Sequence, residues 1–261
     1  MGAETEQRSV LAVSAHPDDI EFVMSGTMMR LADAGYALHY INLADGSCGS
    51  VEMDGPRTAA VRQQESQRSA AMLGAKFYPS LTKDLEIFYE RSQLVRLASI
   101  VRQAAPNIML IHSPDDYMED HMNACRLAVT AAFSRGMPNF AVDPPAAPLD
   151  GPVTLYHAQP HGNQDMLGRP VRPDYFVDVE ELMGRKAELL RCHASQSDWL
   201  DRSQGLGSYV DAMRDLMRQV GQWSGHFDWA EGWRRHSHLG FCEPDADPLV
   251  DALGDHLFRA D

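Results

Sequence analysis

SVLAVSAHPDDIEFVMSG, residues Ser9 to Gly26, reads as a buried strand that breaks at His16-Pro17-Asp18-Asp19 and runs on into a helix. Val10 to Ala15 is a short apolar run, rich in valine and followed closely by a proline. A strand covered on both faces, as in a parallel sheet, has this character. Past the break, Phe22, Val23, Met28, Met29 and Leu31 recur at helical spacings until Gly35 ends the pattern. Three metal-competent side chains, His16, Asp18 and Asp19, thus fall within four positions where a strand gives way to a helix. Open α/β sheets bind their ligands at such strand ends.

Working outward, Ala37 to Leu43 is a second strand, followed by the turn residues Asp45 to Ser50. Arg57 to Leu73 has a strong helical pattern ended by Gly74, and Phe77 and Tyr78 suit a short strand. Leu85 to Tyr89 fits a strand or a loop. Ser92 to Ala105 is an amphipathic helix with Leu94, Leu97, Ile100 and Val101 on one face. Ile108 to Ile111 is a strand, His112 to Met118 a loop, and Glu119 to Arg135 a helix. This alternation is that of right-handed βαβ units and predicts an α/β fold, a doubly wound, mostly parallel sheet with helices on both faces. Gly136 to Pro152, with five prolines, reads as a long surface loop. Thr154 to Gln159 and Tyr175 to Val179 look like later strands, and Glu180 to His193 and Tyr209 to Val220 like helices. Nothing demands a second core, so residues 1–261 are read as one domain whose C-terminal region, from about 197, is irregular.

A chain of 261 residues, 44% apolar and 23% charged, can bury a sizeable core. Its net charge of -14 argues against a nucleic-acid partner and against an anionic membrane surface, both of which need clustered Lys and Arg. Cys48, Cys125, Cys192 and Cys242 form no CxxC pair and are expected to be reduced. Met1 to Arg8 is polar, with no apolar segment of a secretory leader, and Gly2 is followed by Glu6 where a myristoylation motif needs Ser or Thr. No apolar run approaches the roughly 20 residues of a membrane span. A cytoplasmic location is expected.

His16 and Asp19, three apart at a strand end, would offer one nitrogen and one oxygen, a mixture suited to zinc. A catalytic zinc takes three protein ligands, so a third must come from another strand end. His121, beyond the Ile108 to Ile111 strand, is the best candidate, since neighbouring parallel strands share an edge. Asp18 would remain beside the metal as an unliganded carboxylate able to take a proton from water. Taken singly, Asp18 and Asp19 also suit helix capping and His16 a turn. The coincidence of this cluster with Asp120-His121 at a second strand end favours the metal. The same donor set would also accept iron(II).

Ala15 to Glu21, AHPDDIE, resembles the opening motif of the PIG-L/LmbE family of zinc-dependent N-deacetylases. The helix from Arg62 and Glu65 to Leu73-Gly74 resembles the family's RxxE…LG helix, Asp116 to His121 its second metal motif, and Lys186 to Gln196 its K…H.SQ segment. The resemblance covers most of Val10 to Gln196. It implies a Rossmann-like fold, zinc on His16, Asp19 and His121, and Asp18 as general base. It also implies that Arg62 touches substrate and that Asp120 orients a histidine. The substrate would be a small-molecule N-acylated sugar or conjugate. Homo-oligomers are common among such folds, and the sequence leaves that question open. One position departs from the pattern. The family places an oxyanion-stabilising histidine three residues before the metal-binding one, and here that residue is Met118, whose thioether donates no hydrogen bond. Of the remaining histidines, His157 and His161, flanking a glycine-containing loop after a late strand, are the candidates to reach the substrate.

The expected activity is hydrolysis of an N-acetyl or related N-acyl group on an amino sugar or its conjugate. Because of Met118, two alternatives stand beside it: a metal-containing carbohydrate-binding protein, and a different hydrolase or lyase acting on a related carbohydrate. A dehydrogenase is excluded by the missing GxGxxG after the first strand. Trp223, Trp229 and Trp233 are expected in a satellite apolar cluster rather than on a sugar-stacking surface, and His236 and His238 are not expected to bind metal.

Overall fold

The apolar run Ser9–Ser14 forms β1, and every one of its residues is buried. The structure is a computed structural model that describes residues 7–196 and 209–260. Residues 1–6, in the segment read for a leader, and 197–208, where the irregular region is expected to begin, lie outside them. After β1 come α1 (Asp19–Val23), α2 (Ser25–Asp33), β2 (Ala37–Asn42), α3 (Gly55–Leu73) and β3 (Lys76–Tyr78). There follow α4 (Arg91–Ala104), β4 (Ile108–Ile111), α5 (Glu119–Phe133), β5 (Thr154–Ala158), β6 (Tyr175–Asp178) and α6 (Met183–Arg191). The chain ends with α7 (Tyr209–Ser224), β7 (Ala230–Arg235), α8 (Pro248–Leu253) and β8 (Leu257–Arg259).

The eight strands lie in the order β3-β2-β1-β4-β5-β7-β6-β8. β3, β2, β1, β4 and β5 are mutually parallel, while β7 is antiparallel to both β5 and β6, and β8 is antiparallel to β6. This is the expected α/β sheet, mostly parallel. Alternation along β1 divides the core. Val10 and Ala12 pack into a cluster with α1, α2, α3, α6, α7 and α8, whereas Leu11 and Val13 pack with α4 and α5 on the other face. Because β1 pairs with both β2 and β4, the strand order reverses there, and the residues that follow β1 and β4 share one edge.

Local signals explain the helix boundaries. Asp54 caps α3 by accepting from the Arg57 amide at 3.0 Å, and Gly74, at φ 72°, ends it in left-handed backbone. The proline-rich segment after α5 is held by one side chain. Buried Arg102 donates to the carbonyls of Ser134, Arg135, Met137, Phe140 and Ala146. Among the described residues, no helix is long and apolar enough to cross a membrane.

The region expected to be irregular is not so. Its described part contributes α7, α8, β8 and a strand, β7, inserted between β5 and β6. Periodicity does not find β7 because its inward face carries a charge. Glu231 is fully buried and pairs with Lys186 of α6, also fully buried. The Glu231 carboxylate accepts from the Gly26 and Thr27 amides, at 2.8 and 2.7 Å, and so caps α2 from a distant strand. Gly26 is required there, because a Cβ would lie 2.9 Å from Glu231 Oε1 and 2.4 Å from Val179 Cγ1. Trp233, also in β7, is fully buried in the main core, where its Nε1 donates to Thr27 Oγ1 at 2.8 Å. Trp223 alone of the three tryptophans packs against the small satellite cluster of Phe176, Val220 and Ala230.

Removing Glu231 leaves an uncompensated buried ammonium and two free helix amides. Glu231→Ala is expected to lower the unfolding free energy by about 3–5 kcal/mol in urea titrations. A loss below about 1 kcal/mol, the size of an ordinary substitution, would show that the pair is not essential.

Candidate metal centre

Pro17, which cannot donate a backbone hydrogen bond, and Asp18, at φ 99° and ψ -25°, turn the chain sharply out of β1. The turn aims consecutive side chains in different directions. The His16 amide donates to Asp19 Oδ2 at 2.7 Å, which fixes the Asp19 carboxylate over the strand end. His16 Nδ1 lies 3.6 Å from that same oxygen, and His121 Nε2, from the first turn of α5, lies 3.5 Å from Asp19 Oδ1. One ligand atom from each of His16, Asp19 and His121 falls within 4.8 Å of the others. Ligands about 2.0–2.1 Å from a tetrahedral ion stand about 3.3 Å apart, so this spacing suits a zinc-sized cation.

Carboxylates lie beside the opposite ring nitrogens. His16 Nε2 lies 3.0 Å from Asp84 Oδ1 and 3.1 Å from Asp120 Oδ2. His121 Nδ1 lies 3.1 Å from Asp116 Oδ1. Such carboxylates hold the outer nitrogen protonated and turn the inner lone pair toward a metal. Asp120 thus lies beside His16. Sequence reasoning misses Asp84 and Asp116. Asp84 lies in a loop with no spacing signal, and Asp116 lies inside the His112 to Met118 segment, overshadowed by Asp120. Burial opposes a charge on His16, yet its bonds to Asp120, Asp19 and Asp84 raise its pKa well above the ordinary value. His112 adds a third ring. Its Nε2 accepts from the Ala15 amide at 2.9 Å, and it stacks on His121 with centroids 4.2 Å apart.

Asp18 points the other way. Arg62 Nη2 donates to Asp18 Oδ2 at 3.0 Å and to the Pro17 carbonyl at 2.5 Å. The guanidinium is buried, lying against the turn at Gly46, where φ is 69° and a Cβ would fall 2.5 Å from Nη1. The Tyr209 hydroxyl of α7 also bonds Asp18. Burial pushes the Asp18 carboxyl up to about 6, opposed by Arg62, reinforced by Asp19, and eased by His193 and Tyr209. A cavity of about 260 Å³ opens over these groups. Phe22, Tyr209, Tyr117, Met118, Gln159 and His161 are among its lining residues.

A family model described as GlcNAc-PI de-N-acetylase (PIG-L) matches residues 11–133. Diacetylchitobiose deacetylase of Thermococcus kodakarensis is 31% identical over 236 residues, covering 87% of this chain and 82% of that protein. The chain belongs to the PIG-L family of metal-dependent N-deacetylases. The solved N,N'-diacetylchitobiose deacetylase from Pyrococcus horikoshii superimposes with a TM-score of 0.75 at 26% identity, covering 90% of this chain and 85% of that one. A 4-oxalmesaconate hydratase of Pseudomonas putida is 29% identical over 200 residues, covering 74% of this chain and 75% of that protein.

The other PIG-L segments acquire physical roles. Glu65 of α3 accepts from the Ser195 amide and hydroxyl at 3.0 and 2.6 Å. His193 Nε2 lies 3.3 Å from Glu21 Oε2, and Gln196 lines the cavity. One expected site residue is misplaced. His157 does not line the cavity; its Nδ1 lies 2.9 Å from the His112 carbonyl and its Nε2 2.9 Å from His236 Nδ1. It alternates with Tyr156 and Ala158, so it faces the α5 layer, beside Cys125. His161 does line the cavity, as does Met118.

Purified protein supplied with zinc should bind about one ion per chain, and His121→Ala should bind none by elemental analysis. Asp116→Asn should keep the ligands but weaken zinc binding about 10- to 100-fold in competition with a chelating dye. Full zinc occupancy in His121→Ala would remove that residue from the ligand set.

Proposed function

We propose that this chain is a zinc-dependent hydrolase that removes an N-acetyl or related N-acyl group from an amino sugar or its conjugate. The observation that carries the reading is the pairing of two arrangements at one cavity floor. His16, Asp19 and His121 converge on a cation-sized space, and Asp18 is held beside it by Arg62 and Tyr209 without joining the ligand set. Zinc bound there would polarise the amide carbonyl and acidify a water.

The chain's own residues supply the remainder. Asp18 accepts a proton from the attacking water and returns it to the departing nitrogen. Arg62 and Tyr209 fix the direction of that carboxylate, and Asp84, Asp120 and Asp116 fix the two imidazoles. Phe22, Tyr209 and Tyr117 make part of the cavity lining aromatic, which suits the apolar face of a pyranose. The named deacetylases among the relatives act on N-acetylated sugars, as their names state, and that supports the substrate class.

Met118 gives a second reading its footing. With no donor at that position, and with a hydratase among the relatives, the same water-activating centre would add water to an unsaturated substrate instead of an amide.

Acetate release from a panel of N-acetylated amino sugars decides between them. The metal-loaded protein should release acetate, chelators should abolish the release, and zinc should restore it. Asp18→Asn should lower kcat about 100- to 10,000-fold, the usual contribution of a proton-transferring group. Turnover of 4-oxalmesaconate with no acetate from any amide would establish the second reading.

A further inference from the structure

Resting on the deacetylase reading, we infer that His161 is the hydrogen-bond donor to the developing oxyanion, in place of the side chain that Met118 cannot supply. Elimination leads there. Polar side chains at the cavity are mostly committed elsewhere. His112 Nε2 accepts from Ala15, Arg62 and Tyr209 hold Asp18, and Gln159 Nε2 donates to the Val171 carbonyl at 2.6 Å. His161 makes no hydrogen bond to any described residue, and its ring packs between Phe22 and Tyr117, with centroids 5.2 and 5.6 Å away. Tyr117 in turn meets the His121 ring edge-on at 5.6 Å. Through Tyr117, His161 is thus linked to His121, and it lines the same cavity as Met118.

The backbone that presents His161 is built for placement. It opens a short helical turn, His161–Asn163, in which Gly162 and Asn163 both lie in left-handed backbone, at φ 78° and 56°. That conformation is disfavoured for a residue with a Cβ. Asn163 is buried and locked: its Nδ2 donates to the Leu216 carbonyl at 3.2 Å and to Gln219 Oε1 at 2.8 Å, and its amide donates to Pro160 at 2.9 Å. The helix that supplies Tyr209 to Asp18 thus also fixes the turn that presents His161.

In the step, water adds to the acyl carbon and the carbonyl π pair moves onto oxygen. The His161 N–H donates a hydrogen bond to that oxygen and keeps its proton. As the carbonyl re-forms, the C–N bond breaks, its electron pair stays on nitrogen, and Asp18 delivers the proton taken from water. A carboxylic acid and an amine result, and the acid's remaining proton passes to the amine, so that a carboxylate and an ammonium leave.

The test compares wild type, His161→Ala, Tyr117→Phe and the double variant Met118→His with His161→Ala, all loaded with zinc, with N-acetylglucosamine as substrate. A methylphosphonamidate analogue of that sugar serves as the tetrahedral probe in calorimetry. His161→Ala should keep its zinc and lower kcat about 100- to 1,000-fold, as loss of an oxyanion donor does elsewhere, with KM changed less than about threefold. The phosphonamidate should bind the variant more weakly while N-acetylglucosamine binds it as before. Adding Met118→His should return at least about a tenth of the lost rate, since it restores a donor to the same oxygen. Wild-type kcat in His161→Ala, or a loss seen in Tyr117→Phe and not in His161→Ala, overturns the assignment. Absence of acetate release from the wild type is a different result: it overturns the deacetylase reading and this assignment with it.

Discussion

Everything at the site depends on Asp18 holding a left-handed backbone, at φ 99° and ψ -25°. For a residue with a side chain this costs about 1–2 kcal/mol relative to ordinary helix geometry. Nearby groups hold it in place. The Asp18 carbonyl accepts from Phe22 at 3.0 Å, which starts α1, while Arg62 grips the Pro17 carbonyl and the Asp18 carboxylate together. The consequence is a division of labour between adjacent residues. Successive side chains on a regular helix diverge by only about 100°. Here Asp19 reaches across to His112 and His121 beside β4, while Asp18 turns toward α3 and α7. A relaxed backbone would place both carboxylates in one neighbourhood, and the proposed distinction between ligand and base would be lost.

The strained turn is anchored from behind by buried charge. Glu21, fully buried in α1, accepts from Tyr40 at 3.0 Å and from Ser69, and faces His193. Burial would neutralise it, but His193 and Ser69 outweigh that and hold its pKa below the ordinary value. Lys186 reaches the Glu21 carbonyl at 3.0 Å and Ser25 Oγ at 3.1 Å while pairing with Glu231. Buried ion pairs contribute little net stability compared with apolar packing, but they penalise every arrangement that leaves one member alone. Here the penalty falls on misregister between the α1–α2 break and β7. The C-terminal stretch is thereby bound to the motif at the other end of the chain, and α7, packed against β7 and α6, arrives beside Asp18.

These long-range ties mark the boundary of what is legible in the sequence. β1, β4 and α5 are plain because their signals are local: unbroken apolar runs, a proline, and acidic residues opening a helix. The proposed ligand set is plain for the same reason, since His16, Asp19 and His121 sit at strand ends that periodicity locates. β7 is hidden because the meaning of Glu231 lies 45 residues away in Lys186. Asp84, Asp116 and Tyr209 come from loops and a helix face, where no spacing rule points at a site. His157 is a different failure. Its phase along β5, one step from Tyr156 and Ala158, directs it to the opposite face of the sheet, and that alternation is readable in the amino-acid sequence alone.

The same asymmetry bears on the chemistry. On the proposed reading, the AHPDD turn, the carboxylates beside it and Arg62 serve activation of water, a need shared by amide hydrolysis and by the hydration named for one of the relatives. Nothing in the motif distinguishes them. The two reactions differ in where negative charge accumulates after water adds, and a site discriminates by the donors aimed at that position. In this chain the cavity lining outside the motif includes Tyr117, Met118 and His161. That part of the lining is built by the loop after β4 and by a turn after β5 that α7 braces. Reaction choice within this fold can therefore depend on residues outside the motif that identifies it, and in this chain Met118 and the proposed donor His161 both line the cavity where that choice would be made.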